Sequence, residues 1–172
     1  MSNSITKDLV LKFGAIYGVF HFLFTIYLYR SGMDLSPWGG LIYVVEIAAL
    51  VLMYNEYKEH TEGSLPFKRA IRIGGLMIVV SYALSSLFNL VYVLFDSKFI
   101  DRQLELVRIQ LEANPEVTPQ EIETVLESSQ WVYQLPLFQL VQFVSLTALG
   151  LILMLAIATF MRSTSRNRGT NQ

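Results

Sequence analysis

Cysteine is absent from this chain, which excludes disulfides, iron–sulfur clusters and thiol catalysis. Charge is scarce as well. Asp, Glu, Lys and Arg make up 16 % of the residues and the net charge is −1, so no basic surface invites nucleic acid. Histidine occurs at His21 and His60 only. Bis-histidine haem needs two histidines at membrane depth, and His60 stands in a polar connection where solvent exposure is expected. HExxH, a glycine-rich phosphate loop and GxSxG are all missing. A dyad of His21 with Ser81 or Ser85 would lack a glycine-framed serine and an oxyanion donor. The chain is therefore expected not to be an enzyme, and to need no cofactor and no metal.

Apolar residues fill the room that charge leaves, at 53 % of the chain. Residues Ile73 to Phe95 run for 23 positions without a charged side chain. At about 1.5 Å per residue this is about 35 Å of helix, enough to cross a hydrocarbon core of roughly 30 Å. Three further runs behave similarly, and Lys7 and Lys12 precede one that continues to Tyr29 without a small-x-small cleavage site. The expected architecture is an all-α, polytopic membrane protein with four transmembrane helices. They fall at about residues 9–29, 36–54, 70–95 and 135–161, with Pro136 in the first turn of the fourth. The whole is expected as one membrane domain ending in a disordered tail over residues 163–172.

The basic residues orient this arrangement. Lys7, Lys12, Lys58, Lys68, Arg69, Arg72, Arg162, Arg166 and Arg168 flank one face, against Arg30, Lys98, Arg102 and Arg108 on the other. The positive-inside rule predicts that both termini are cytoplasmic. Trp38, Trp131 and Tyr133 then fall at the outer boundary, as an aromatic belt would.

The polar segment over residues 96–134 carries its own pattern. Ile100, Leu104, Val107 and Leu111 recur at helical spacing, and Asn114-Pro115 stops that helix. Thr118-Pro119-Gln120-Glu121 is a capping box with proline at the first helical position, and Val117 with Ile122 can form a staple. A second helix is expected to about Ser129, with Ile122, Val125 and Leu126 on one side. The pair reads as an extracytoplasmic amphipathic hairpin that lies on the membrane or the bundle, or else docks a partner or gates the bundle. The shortness of both helices favours the former. The segment is acidic but has no EF-hand spacing.

Glu46 is the residue that needs explaining. A carboxyl at mid-span costs about 2.5–3.5 kcal/mol on insertion scales. With the first two spans as an antiparallel hairpin, Tyr29 and Trp38 mark one boundary, and His21 and Glu46 each lie eight residues inward from it. A His21–Glu46 hydrogen bond is therefore predicted. It reads as a structural lock with Glu46 uncharged, or as a proton relay. The lock is the preferred reading, because a lone pair has no visible proton path. Ser81, Ser85 and Asn89 in the third span and Gln142 in the fourth are expected to line a polar interior; in the fourth, Ser145 and Ala156 fall on the same side as Gln142, but Leu149 and Ile152 lie between them.

Three segments together resemble a known family. Gly63-Ser64-Leu65-Pro66-Phe67-Lys68-Arg69-Ala70-Ile71-Arg72-Ile73-Gly74 resembles a G-x-x-x-F-x-x-A-x-x-x-G pattern. Lys12-Phe13-Gly14 with Gly18 is similar to K-[FY]-G-x-x-x-G, and Phe99-Ile100-Asp101 to [FY]-I-D. These belong to the domain of unknown function 4199 family, small four-helix membrane proteins mainly of Bacteroidota. The chain departs from the pattern at Arg102, where proline is frequent, and at Leu65-Pro66. The resemblance implies four spans in the inner membrane of a Gram-negative bacterium and transfers no catalytic residue. Two functional expectations stand beside it: an accessory or assembly subunit in the lipid bilayer, bound to a membrane-protein partner, or a small proton-linked transporter, alone or as a homo-oligomer such as a dimer, that uses Glu46 and His21.

Overall fold

The computed structural model describes residues 2–33, 36–96, 98–129 and 137–162, with side chains from Ser4 onward. Its elements are α1 (Ser2–Ser31), a 3₁₀ turn (Pro37–Gly40), α2 (Leu41–Glu59), α3 (Phe67–Phe95), α4 (Phe99–Glu112), α5 (Pro119–Ser129) and α6 (Leu137–Met161). No strand occurs among the described residues. Four segments, Ser4–Ser31, Pro37–Glu59, Phe67–Phe95 and Leu137–Met161, are long and apolar enough to cross a membrane, which makes this a multi-pass membrane protein. Trp131, Tyr133, Pro136 and the tail over 163–172 lie outside the described residues.

The helices outrun the apolar runs that announced them. α2 continues past Tyr54 to Glu59 because its inward stripe continues: Met53, Tyr54 and Tyr57 are all buried. Glu56 meets Lys12 of α1 through both carboxylate oxygens at 2.8 Å. A turn with Glu62 at φ 51° and Gly63 at φ 81° then reverses the chain. Glycine suits the second of these left-handed positions, since it carries no Cβ to clash there. Leu65 is buried beneath the turn, and the Pro66 carbonyl accepts the amides of Arg69 and Ala70, so Pro66 opens α3.

The chain forms two compact units. The first takes residues 1–85 and 145–172. Here α1 packs along α2 and also meets α3 at Gly14 and Gly18. A Cβ on Gly18 would stand 2.6 Å from the Ser81 carbonyl, and one on Gly14 would stand 2.9 Å from Val80. Small residues here let two backbones close, which is how helices associate without a hydrophobic driving force in lipid. Met77, Ile78, Tyr82 and Met154 complete the interior.

The α6 face differs from the sequence expectation. Ser145 and Ala156 are exposed and Gln142 is half-buried, whereas Gly150, Met154 and Ala158 point inward. These last three follow the i, i+4, i+8 spacing of one helix face.

The second unit takes residues 86–144. In it α4 and α5 pack on each other, with Arg108 paired to Glu123 at 3.1 Å. Ile122 and Leu126 are buried, while Val125 is exposed, so α5 shows a narrower apolar face than its sequence suggested. Phe99 meets Phe138 edge to face at 5.7 Å between ring centres. The capping box is formed: the Thr118 amide and hydroxyl both donate to Glu121 at 2.8 Å, and the Glu121 amide donates to the Thr118 hydroxyl at 3.3 Å.

These bonds hold the Glu121 carboxyl below the usual carboxylate range, the backbone amide of Thr118 first. A lowered folded value means that the box stabilises α5 above the ordinary value of 4.5 and is lost as pH falls through the folded value. Hydrogen exchange in micelles, corrected for intrinsic rates, should show the first turn of α5 losing protection as pH falls below the ordinary value of 4.5. Glu121→Gln should abolish that pH dependence.

Candidate functional site

Several polar side chains of the spans converge in the first unit. Glu46 of α2 is fully buried. The Tyr82 hydroxyl of α3 donates to its Oε2 at 2.9 Å, and the Tyr17 hydroxyl of α1 approaches the same oxygen at 3.3 Å. The two phenol oxygens lie 3.4 Å apart, and Tyr17 also reaches the Ile42 carbonyl at 3.4 Å. Each phenol has one hydrogen to give. Tyr82 commits its hydrogen to Glu46, and Tyr17 divides its own between the carboxyl and the Ile42 carbonyl.

The fourth span contributes by what it leaves out. A Cβ on Gly150 of α6 would stand 2.7 Å from Glu46 Oε1, 2.8 Å from the Tyr82 ring and 3.0 Å from Ile78. Only glycine lets this backbone close over the carboxyl. Oε1 is buried with no hydrogen-bond partner among the described residues. All four spans thus meet at one carboxyl: α2 supplies it, α1 and α3 bond it, and α6 covers it.

His21 takes a different partner from the one predicted. Its Nδ1 lies 2.8 Å from Ser85 Oγ of α3, and no direct bond to Glu46 is formed. Tyr82 and Tyr17 explain the correction. The His21 ring meets the Tyr82 ring edge-on at 5.2 Å and the Tyr17 ring at 6.0 Å, so the two phenols occupy the space toward Glu46. Counting inward from the span ends compares depths along two helices. It says nothing of the direction in which each side chain leaves its helix, and His21 turns toward α3.

The other predicted residues divide. Ser81 is buried but bonds back to the Met77 carbonyl of its own helix at 2.7 Å. Asn89 is buried and Gln142 half-buried, both in the second unit. His60 is exposed. Among the described residues no three His, Cys, Asp or Glu side chains come together as a metal-ligand set.

Tyr17, Tyr82 and Gly150 went unread in the sequence, although signals existed. A buried tyrosine usually needs a partner for its hydroxyl, so one far from a membrane boundary asks for a polar group nearby. Tyr17 stands four residues before His21, hence on the same helix face. Gly150 is the lone glycine of the last apolar run.

The family profile described as Protein of unknown function (DUF4199) matches residues 12–163. No curated protein and no solved structure matches the chain.

Gly150→Ala forces a methyl onto the Glu46 carboxyl and should cost about 1–3 kcal/mol, the range for overpacking a filled core. Gly75→Ala is the control, since its Cβ would meet nothing closer than 3.6 Å. Thermal unfolding in detergent should separate the two variants. Tyr82→Phe leaves Oε2 with only the longer bond from Tyr17, and should cost about 1–3 kcal/mol in the same assay.

Proposed function

This chain belongs to the DUF4199 family of proteins of unknown function, and we propose that it acts as a non-enzymatic accessory or assembly subunit of the membrane. One observation carries the reading. Around Glu46 the buried polar groups of the first three spans bond within the protein: Glu46 to two tyrosines through one oxygen, His21 to Ser85, Ser81 to its own backbone. Groups bonded in this way hold helices in register, as a protein that works through association requires.

The finer topology is part of the proposal. Nine of the thirteen Lys and Arg residues flank one face, which supports cytoplasmic termini and an extracytoplasmic position for α4 and α5. The membrane would be the inner one of a Gram-negative bacterium. The absence of cysteine makes this directly testable. Glu116→Cys should react with a membrane-impermeant maleimide in intact spheroplasts, and Lys58→Cys only after permeabilisation. The reverse pattern would invert the topology.

Purification in mild detergent with mass spectrometry of what remains bound tests the function. The expected result is a larger membrane protein at fixed stoichiometry, released by Glu112→Gln with Glu116→Gln on the exposed acidic face of α4 and its following turn. A lone chain or homo-oligomer would overturn it.

One observation favours a second reading, a small proton-linked transporter. Glu46 Oε1 has no partner among the described residues, so the carboxyl has an oxygen in reserve. That reading requires Glu46→Gln to abolish a pH-dependent flux in liposomes while the protein still accumulates.

A further inference from the structure

A groove opens in the first unit where the first turns of α1 and α3 run side by side, enclosing about 300 Å³. Val10, Leu11 and Leu76 form its apolar wall, and Lys7, Arg69 and Arg72 bring three cations to it. Thr6 completes the lining, which includes no carboxylate. The spans that hold the groove begin at Ser4 and Phe67, so it sits within the first two or three turns of each and at the level of a membrane surface.

These cations differ from two neighbours that are already engaged. Lys12 is neutralised by Glu56, and Arg162 lies over the Phe67 ring at 5.9 Å. Lys7, Arg69 and Arg72 have no ion pair among the described residues. Their positions also match the needs of an anion. Arg69 and Arg72 are three residues apart and share a helix face, and guanidinium forks hold phosphate oxygens two at a time. Lys7 adds a point charge from α1.

The apolar wall identifies the rest of the ligand. Leu11 is 47 % exposed and Leu76 45 %, and on α3 the exposed Val79, three residues on, continues the apolar strip from Leu76. Such a strip inside a membrane meets acyl chains. A free anion would use the cations and leave the strip unused; a phospholipid uses both.

We propose that this groove binds an anionic phospholipid, its phosphate held by Lys7, Arg69 and Arg72 and its acyl chains laid along Leu11 and Leu76. The proposal is independent of the accessory role, since it concerns a different part of the molecule.

Native mass spectrometry of the delipidated full chain tests it, with phosphatidylglycerol, phosphatidylcholine and inorganic phosphate as probes. Phosphatidylglycerol should bind more tightly than phosphatidylcholine. Arg69→Gln with Arg72→Gln should weaken phosphatidylglycerol by roughly 30-fold, the equivalent of about 1 kcal/mol for each cation. Lys58→Gln with Lys68→Gln removes the same charge from the same helix ends outside the groove and should leave binding within about twofold. Leu76→Trp keeps every charge but fills the groove from its exposed wall, and should also abolish binding. It remains informative if the arginine variant fails to fold. Equal losses in the two charge variants would reduce the effect to diffuse attraction and overturn the proposal. Unchanged binding in Leu76→Trp, or inorganic phosphate competing as well as phosphatidylglycerol does, would overturn it too.

Discussion

A carboxyl group inside an apolar slab has no water to turn to, and the first unit is built to satisfy that need. Leaving Glu46 unbonded would cost several kcal/mol, more than any single packing contact returns. Two phenols from two other helices bond one of its oxygens, and the glycine of a fourth seals the other from water. Each of these fixes a rotation as well as a distance. Tyr82 can reach Glu46 only if α3 presents that face to α2, and Gly150 can lie against it only if α6 does the same. Dispersion between apolar helices tolerates many rotations; a hydrogen bond of 2.9 Å tolerates few. The polar cluster therefore supplies specificity that the surrounding leucines and isoleucines do not.

This division explains what could be read from the chain alone. Four long apolar runs with few charges sufficed for four helices, because length and apolar character are what crossing a bilayer asks. The capping box was legible to the residue, since Thr118 and Glu121 bond each other locally and need nothing distant. Rotational phase was not legible. In water a helix shows its buried side by being apolar there and polar elsewhere. In lipid the outward side is apolar too, so Phe160 and Ile152 of α6 are exposed while Met154 and Ala158 are buried. Gln142, Ser145 and Ala156 share a side of α6 that Leu149 and Ile152 interrupt, but the face that needed a small residue was set by Glu46 across the interface, at Gly150. The same blindness affected His21, whose depth was countable and whose direction was not.

Glycine acts twice here through the same geometry. Gly14 and Gly18 bring the α1 backbone onto α3, and Gly150 brings the α6 backbone onto the carboxyl. Because α1 lies close to α3 at Gly18, Tyr17 and His21 on the neighbouring faces reach the third span at Tyr82 and Ser85. The G-x-x-x-G spacing, common by chance in apolar helices, here has a consequence one turn away: it helps set which partner His21 finds. Local sequence and distant chemistry are coupled through backbone proximity.

The two ends of the polar cluster bear differently on function. His21 and Ser85 form a closed pair between α1 and α3, and Tyr82 stands between them and the carboxyl with its ring edge-on to the imidazole. Among the described residues the imidazole bonds Ser85 and neither phenol nor Glu46, so no chain of hydrogen bonds joins His21 to the carboxyl. The exchange that the geometry allows runs through oxygens instead, from Glu46 Oε2 to the Tyr82 or Tyr17 hydroxyl and on to the Ile42 carbonyl. A peptide carbonyl accepts a hydrogen bond and does not pass a proton onward, so that path ends within one helix turn of where it began. Bonds arranged this way fix the relative positions of α1, α2 and α3. For that reason these bonds set the shape of the first unit, and it is this shape that the proposed subunit role draws on.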